Sequence, residues 1–91
     1  MSFILNSENG YVADLASNMG YGEMTAYVEH APGAQVLKDF FDQGWTDDPE
    51  GCVQDIAFLL SRPNVEDNIF HTLQALAKNL GKVKEVAIVS Q

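Results

Sequence analysis

The chain has little positive charge. Five Lys or Arg stand against 13 Asp or Glu among 91 residues, a formal net charge of −8. A field of that sign repels nucleic-acid phosphate and anionic membrane surfaces, and it favours basic partners or plain solubility. There is one cysteine, Cys52, so no internal disulfide can form. The longest apolar runs, such as Ile56 to Leu60, fall far short of the roughly 20 residues that span a bilayer. The N-terminus lacks the basic flank and continuous apolar run of a secretion signal, and with the lone thiol this points to a reducing cytoplasm. Also absent are a Gly-rich phosphate loop, a nucleophile elbow, zinc-ligand spacing, and basic residues interleaved with aromatics.

What the chain does have is a concentrated acidic segment. Residues 39–55 hold Asp39, Asp42, Asp47, Asp48, Glu50 and Asp55 with no Lys or Arg, which is −6. The first 38 residues have four acids and one base, and residues 56–91 three acids and four bases. The acidity is therefore local. Hydrophobic residues make up 46% of the chain and charged ones 20%, in the range of ordinary folded proteins. A length of 91 residues supports one domain, residues 1–91, with a modest core.

Glycine and proline divide the sequence into stretches that read at helical period. In the first, Ser7 is taken as the N-cap, Val12, Leu15, Ala16 and Met19 follow at i, i+3, i+4 and i+7, and Gly20 closes it. In the second, Glu23 sits in the first turn, Met24, Tyr27, Val28 and Ala31 form a stripe, and Pro32 stops it. The third places Val36, Leu37, Phe40 and Phe41 on one side and ends at Gly44. The fourth starts with the Asp48 cap and Pro49 at the first helical position, carries Cys52, Val53, Ile56, Ala57, Leu59 and Leu60, and ends near Pro63. The fifth is capped by Asn64 and runs through Val65, Ile69, Phe70, Leu73, Leu76, Ala77 and Leu80 to Gly81. The tail, Val86-Ala87-Ile88-Val89, reads as a strand. A lone strand cannot satisfy its own backbone, so it must pair with Phe3-Ile4-Leu5 or with another chain.

The expected fold is thus a mainly α, compact single domain of about five short helices with a short C-terminal β-strand. The alternative is an α+β domain whose small sheet is formed by the two termini or across a dimer. The expected core is Leu15, Val28, Leu37, Phe40, Val53, Ile56, Leu60, Ile69, Leu73, Leu76 and Leu80.

Several groupings invite chemistry and are better read as structure. Asp67 and His71 share a helix face, but two residues do not close a metal site. Cys52 with His30 or His71 could pair as nucleophile and base, yet Cys52 falls on an apolar stripe and reads as core. The acids of residues 39–50 fail the alternating register of a calcium loop, and Asp48 beside Asp47 is accounted for as a cap. Tyr11, Tyr21 and Tyr27 read as covers of the core with wet hydroxyls. Trp45, the only tryptophan, lies in an expected loop flanked by acids, where it either folds over a helix end or faces a partner.

The function so implied is that of a non-enzymatic interaction or accessory module without cofactor or metal. Trp45, Asp47, Glu50 and Asp55 are the candidates for contact with a basic protein partner, and Val86 and Ile88 for self-association as a homodimer through the C-terminal strand. One alternative is an acidic inhibitor that mimics nucleic-acid charge. The other is a small Cys/His- or metal-dependent enzyme.

Overall fold

The computed structural model describes residues 2–90. The chain begins with a β-hairpin, β1 (Ser2–Ser7) and β2 (Gly10–Ser17). Helices α1 (Asn18–His30) and α2 (Gln35–Gln43) follow, then a two-residue strand β3 (Trp45–Thr46), α3 (Pro49–Leu60), α4 (Asp67–Leu80) and β4 (Val86–Ser90). The strands form one antiparallel sheet in the order β2-β1-β4-β3. Among the described residues the domain is therefore α+β, with four helices and a four-stranded sheet whose strands β1 and β4 come from the N-terminal and C-terminal parts of the chain. This overturns the mainly α expectation and matches the alternative in which the two termini pair.

The expected first helix is the part that fails. Its residues form the hairpin: Ser7 pairs with Gly10, and Gly10 takes a φ of 102°, which glycine adopts at no steric cost. Ser7 is no helix cap; its hydroxyl accepts from the Asn9 amide and donates to the Gly10 carbonyl across the turn. Leu5 pairs with Ala13 and Asn6 with Tyr11, leaving Val12 as an extra residue; Phe3 pairs with Ala16 and Ile4 with Asp14, leaving Leu15. Each extra residue is a β-bulge, and each turns an additional side chain toward the core. Leu15 is buried and Val12 and Ala16 pack against the same cluster, so strand β2 presents its apolar residues three or four apart. That spacing imitates a helix.

The second helix starts earlier than Glu23. Ser17 caps α1 by accepting from the Gly20 amide at 3.1 Å, so Gly20 lies inside the helix and Met19 is exposed. Met24 and Val28 are fully buried, as their stripe implies. The third and fourth helices match: α2 ends at Gly44 in the left-handed conformation, and the Asp48 carboxylate accepts from the Gly51 amide at 3.0 Å, with Pro49 at the helix start. A Cβ on Gly51 would collide with the Asp48 carboxylate, so glycine permits that cap. For the fifth helix the cap differs. Asn64 sits in the loop with a φ of 65°, and α4 begins at Asp67 after Glu66, which makes no side-chain capping bond.

Helices α1, α2 and α4 pack against the sheet, and α3 packs on α2 and α4. Leu5, Leu15 and Val86 join Met24, Val28, Leu37, Phe40, Cys52, Ile56, Leu59, Ile69, Leu73, Leu76 and Leu80 in a single core. Val53 and Leu60, expected inside, are half-buried at its margin. Cys52 and Leu59 take the inner positions of α3.

Candidate functional site

Because directly paired residues of an antiparallel sheet share a face, the register assigns the side that the helices leave uncovered. One row across it is Tyr11, Asn6, Ala87 and Trp45, and the next is Asp14, Ile4 and Val89. Ser2 and Ser17 form a third. Ile4 belongs here by register: it is only 6% exposed yet stands apart from the core built with the helices. Tyr11, Trp45 and Val89 are exposed, 63%, 49% and 36% respectively, and they are three of the five large apolar side chains that are exposed among the described residues. The other two, Met19 and Phe58, lie on helices.

Acids border this face. The Tyr11 hydroxyl donates to Asp14 Oδ1 at 3.0 Å, and that hydrogen bond, with burial and the carboxylate charge adding to it, holds the phenol above its ordinary pKa. Glu8, in the hairpin turn, accepts from the backbone amides of Lys84 and Glu85 and so ties the turn to the start of β4. Its own backbone amide, followed by those of Glu85 and Lys84, lowers the Glu8 pKa. A shallow depression of about 270 Å³ lies beside Trp45, lined by Asn6, Glu8, Glu85 and Ala87. On its other side Trp45 meets Asp39, Asp47 and Asp48 around a second hollow of about 220 Å³. No Lys or Arg occupies a position on the uncovered face among the described residues.

The residues singled out from sequence separate into two groups. Trp45 is an edge-strand residue rather than a loop residue, and Asp47 follows it on the surface. Glu50 is exposed in the first turn of α3. Asp55 is engaged internally: its Oδ2 accepts from the Leu37 amide at 3.1 Å, so it caps α2, whose own N-cap residue Ala34 has no side chain that can do so. Val86 is buried and Ile88 packs against the core, both in a strand flanked by β1 and β3. Pairing of β4 is thus satisfied within the chain. Tyr11 is the functional candidate that the sequence reading assigned to the core margin, and Asn9-Gly10 was the signal that could have found it, since this dipeptide marks hairpins.

Comparison with protein-family models, with curated proteins and with solved structures finds no match.

Chemistry elsewhere is sparse. Cys52 is fully buried with its thiol directed at the Val36 carbonyl. Burial first, then the Asp55 and Asp48 carboxylates, push its pKa up to about 12, which leaves it a poor nucleophile at neutral pH. His30 and His71 are exposed on α1 and α4. No three His, Cys, Asp or Glu side chains among the described residues are grouped to hold a metal ion. Among the described residues no helix is long and apolar enough to cross a membrane.

The thiol yields a pH prediction. Folding raises its pKa, so the neutral form is favoured in the native state; this contribution is complete below about pH 9, the unfolded thiol's value, and is lost as pH rises toward about 12. Urea midpoints measured from pH 8 to 11 should fall more steeply for the native chain than for Cys52→Ala. Dithiobis(nitrobenzoate) should label Cys52 only on unfolding. Rapid labelling under native conditions, or parallel pH profiles, would show that the thiol is accessible.

Proposed function

We propose that this domain is a protein-binding module whose uncovered sheet face docks a basic protein partner. The observation that carries the reading is the juxtaposition of Tyr11, Trp45 and Val89 on a face without a cation, bordered by Asp14, Glu8, Glu85 and Asp47. Aromatic side chains with polar tips supply large contact area at small entropic cost and dominate many interfaces. The surrounding acids steer a basic partner and set its salt sensitivity. The same acids repel a second copy, since each chain carries a formal −8. Antiparallel sheets commonly leave one face to water, and Asn6 and the serines suit that role; the three exposed apolar side chains do not.

Capture from a host extract with the native chain and with a Tyr11→Ser, Trp45→Ala variant tests the reading. A basic protein retained by the native chain, eluted by salt and lost from the variant supports it. Replacing Asp47 and Glu50 by Lys should slow association and flatten its salt dependence, with the fold intact. Retention unaffected by the variant, or no partner retained, counts against the proposal. So does scattering that shows a compact dimer, with a radius of gyration near about 16 Å rather than the 11.8 Å of the monomer.

A further inference from the structure

Resting on that reading, we propose that the segment seated on the sheet face is an amphipathic helix with basic flanks, completing a helix-sheet-helix sandwich. The alternative, addition of a strand at a sheet edge, is opposed by both edges. On β2 the bulges at Val12 and Leu15 interrupt the regular spacing of outward amides and carbonyls that a straight strand would need. At the other edge β3 has only two residues. Beside it few amides are free: the Gly44 amide bonds the Phe40 carbonyl, the Asp48 amide bonds Thr46 Oγ1, and Pro49 has no amide. A partner must therefore be read through side chains on the face. An extended segment lying there would leave its backbone groups without partners, whereas a helix satisfies its own.

The dimensions agree. Tyr11 and Trp45 stand in the same row on the two outer strands, three strand spacings apart, or about 14 Å. Between them the row holds the smaller Asn6 and Ala87, so by register Tyr11 and Trp45 flank a lower strip, the trough, which Val89 continues in the next row. The depression beside Trp45 is one end of it. A helix with side chains is about 10–12 Å across and fits between walls so spaced. Its apolar stripe would meet Ala87 and Val89, and Lys or Arg on its flanks would meet Asp14 on one side and Asp47 and Glu85 on the other.

Two synthetic peptides of equal Leu, Lys and Ala composition, each about 16 residues, supply the test. One carries Leu at i, i+3, i+4 and i+7; the other alternates Leu and Lys. Each is titrated into the isotope-labelled full chain, and amide shifts, Trp45 fluorescence and peptide circular dichroism are followed. The helical-pattern peptide should gain helicity on binding, perturb Ile4, Asn6, Tyr11, Trp45, Ala87 and Val89, and bind at least about tenfold more tightly than its alternating counterpart, a difference of roughly 1.4 kcal/mol. Ala87→Phe should fill the trough and weaken it about as much. Should that variant be destabilised, Trp45→Ala, at an exposed position, gives the same readout. Equal or tighter binding of the alternating peptide with the same footprint would overturn the helix and leave the face as the docking surface. Binding of neither peptide at roughly millimolar concentration, or a footprint away from the six residues, would also overturn it. The docking face itself is judged separately, by the host-extract capture and the scattering.

Discussion

Ile88→Pro should destabilise the domain by about 3 kcal/mol or more, a large share of the roughly 5–14 kcal/mol expected for a chain of this length. The Ile88 amide donates to the Gly44 carbonyl at 2.7 Å, in a strand hydrogen-bonded to β1 on one side and to β3 on the other. Proline removes that donor, and the exchange also removes a side chain that packs on the core. Because β4 joins β1 to β3, the damage reaches the segment that holds Trp45 in place. Backbone polarity alternates along a strand, so Ser90, two residues on, turns its amide to the same side but lies beyond the end of β3. Ser90→Pro should therefore cost far less. Urea denaturation followed by far-ultraviolet circular dichroism measures both. A loss below about 1 kcal/mol for Ile88→Pro would mean that β4 is not held between two strands.

The third, fourth and fifth helical stretches were legible because their packing obeys local pattern. The amphipathic stripe of α2, the Asp48-Pro49 start of α3 and the Leu73, Leu76 and Leu80 spacing of α4 are all recorded within a dozen residues. The hairpin was not, for a reason that lies in its bulges. A regular strand alternates inward and outward with period two, but the additional residues at Val12 and Leu15 move successive inward positions three or four apart. Periodicity read across residues 7–20 then favours a helix, although Asn9-Gly10 argued for a turn. Strand β4 was recognisable from its β-branched residues. Its partner was left open between Phe3-Ile4-Leu5, the one other apolar run free to pair, and another chain; the structure pairs it with β1 and with β3, which the sequence reading took for a loop.

The site was legible in part. Charge counting found the acidic segment, and the solitary Trp45 drew notice as an amphipathic aromatic among acids. Counting could not distinguish a carboxylate that faces solvent from one that faces an amide: Asp47 remains on the surface, whereas Asp55 caps a helix that begins 20 residues earlier. Nor could it join Tyr11 to Trp45. They lie 34 positions apart in sequence and at opposite ends of one row only because β1 and β4, drawn from the two ends of the chain, pair between them. The proposed docking face is a product of topology.

Leu73→Ala should cost about 2–5 kcal/mol, the range in which loss of buried methyl groups and the cavity left behind act together. Leu73 is fully buried on α4, between the turns carrying Ile69 and Leu76, and it belongs to the cluster in which all four helices meet Leu5 and Val86 of the sheet. Its surroundings are large apolar side chains from different elements, which cannot all move inward to close a gap without breaking contacts of their own. The cost should therefore fall in the upper half of that range. Ala75→Gly on the exposed side of α4 separates packing from helix propensity, and should cost no more than about 1 kcal/mol. Chemical denaturation with an unchanged m-value is the measurement. If Leu73→Ala and Ala75→Gly prove equally mild, α4 is held to the domain by its termini rather than by its stripe, and the sheet face would have to draw its rigidity from the hairpin alone.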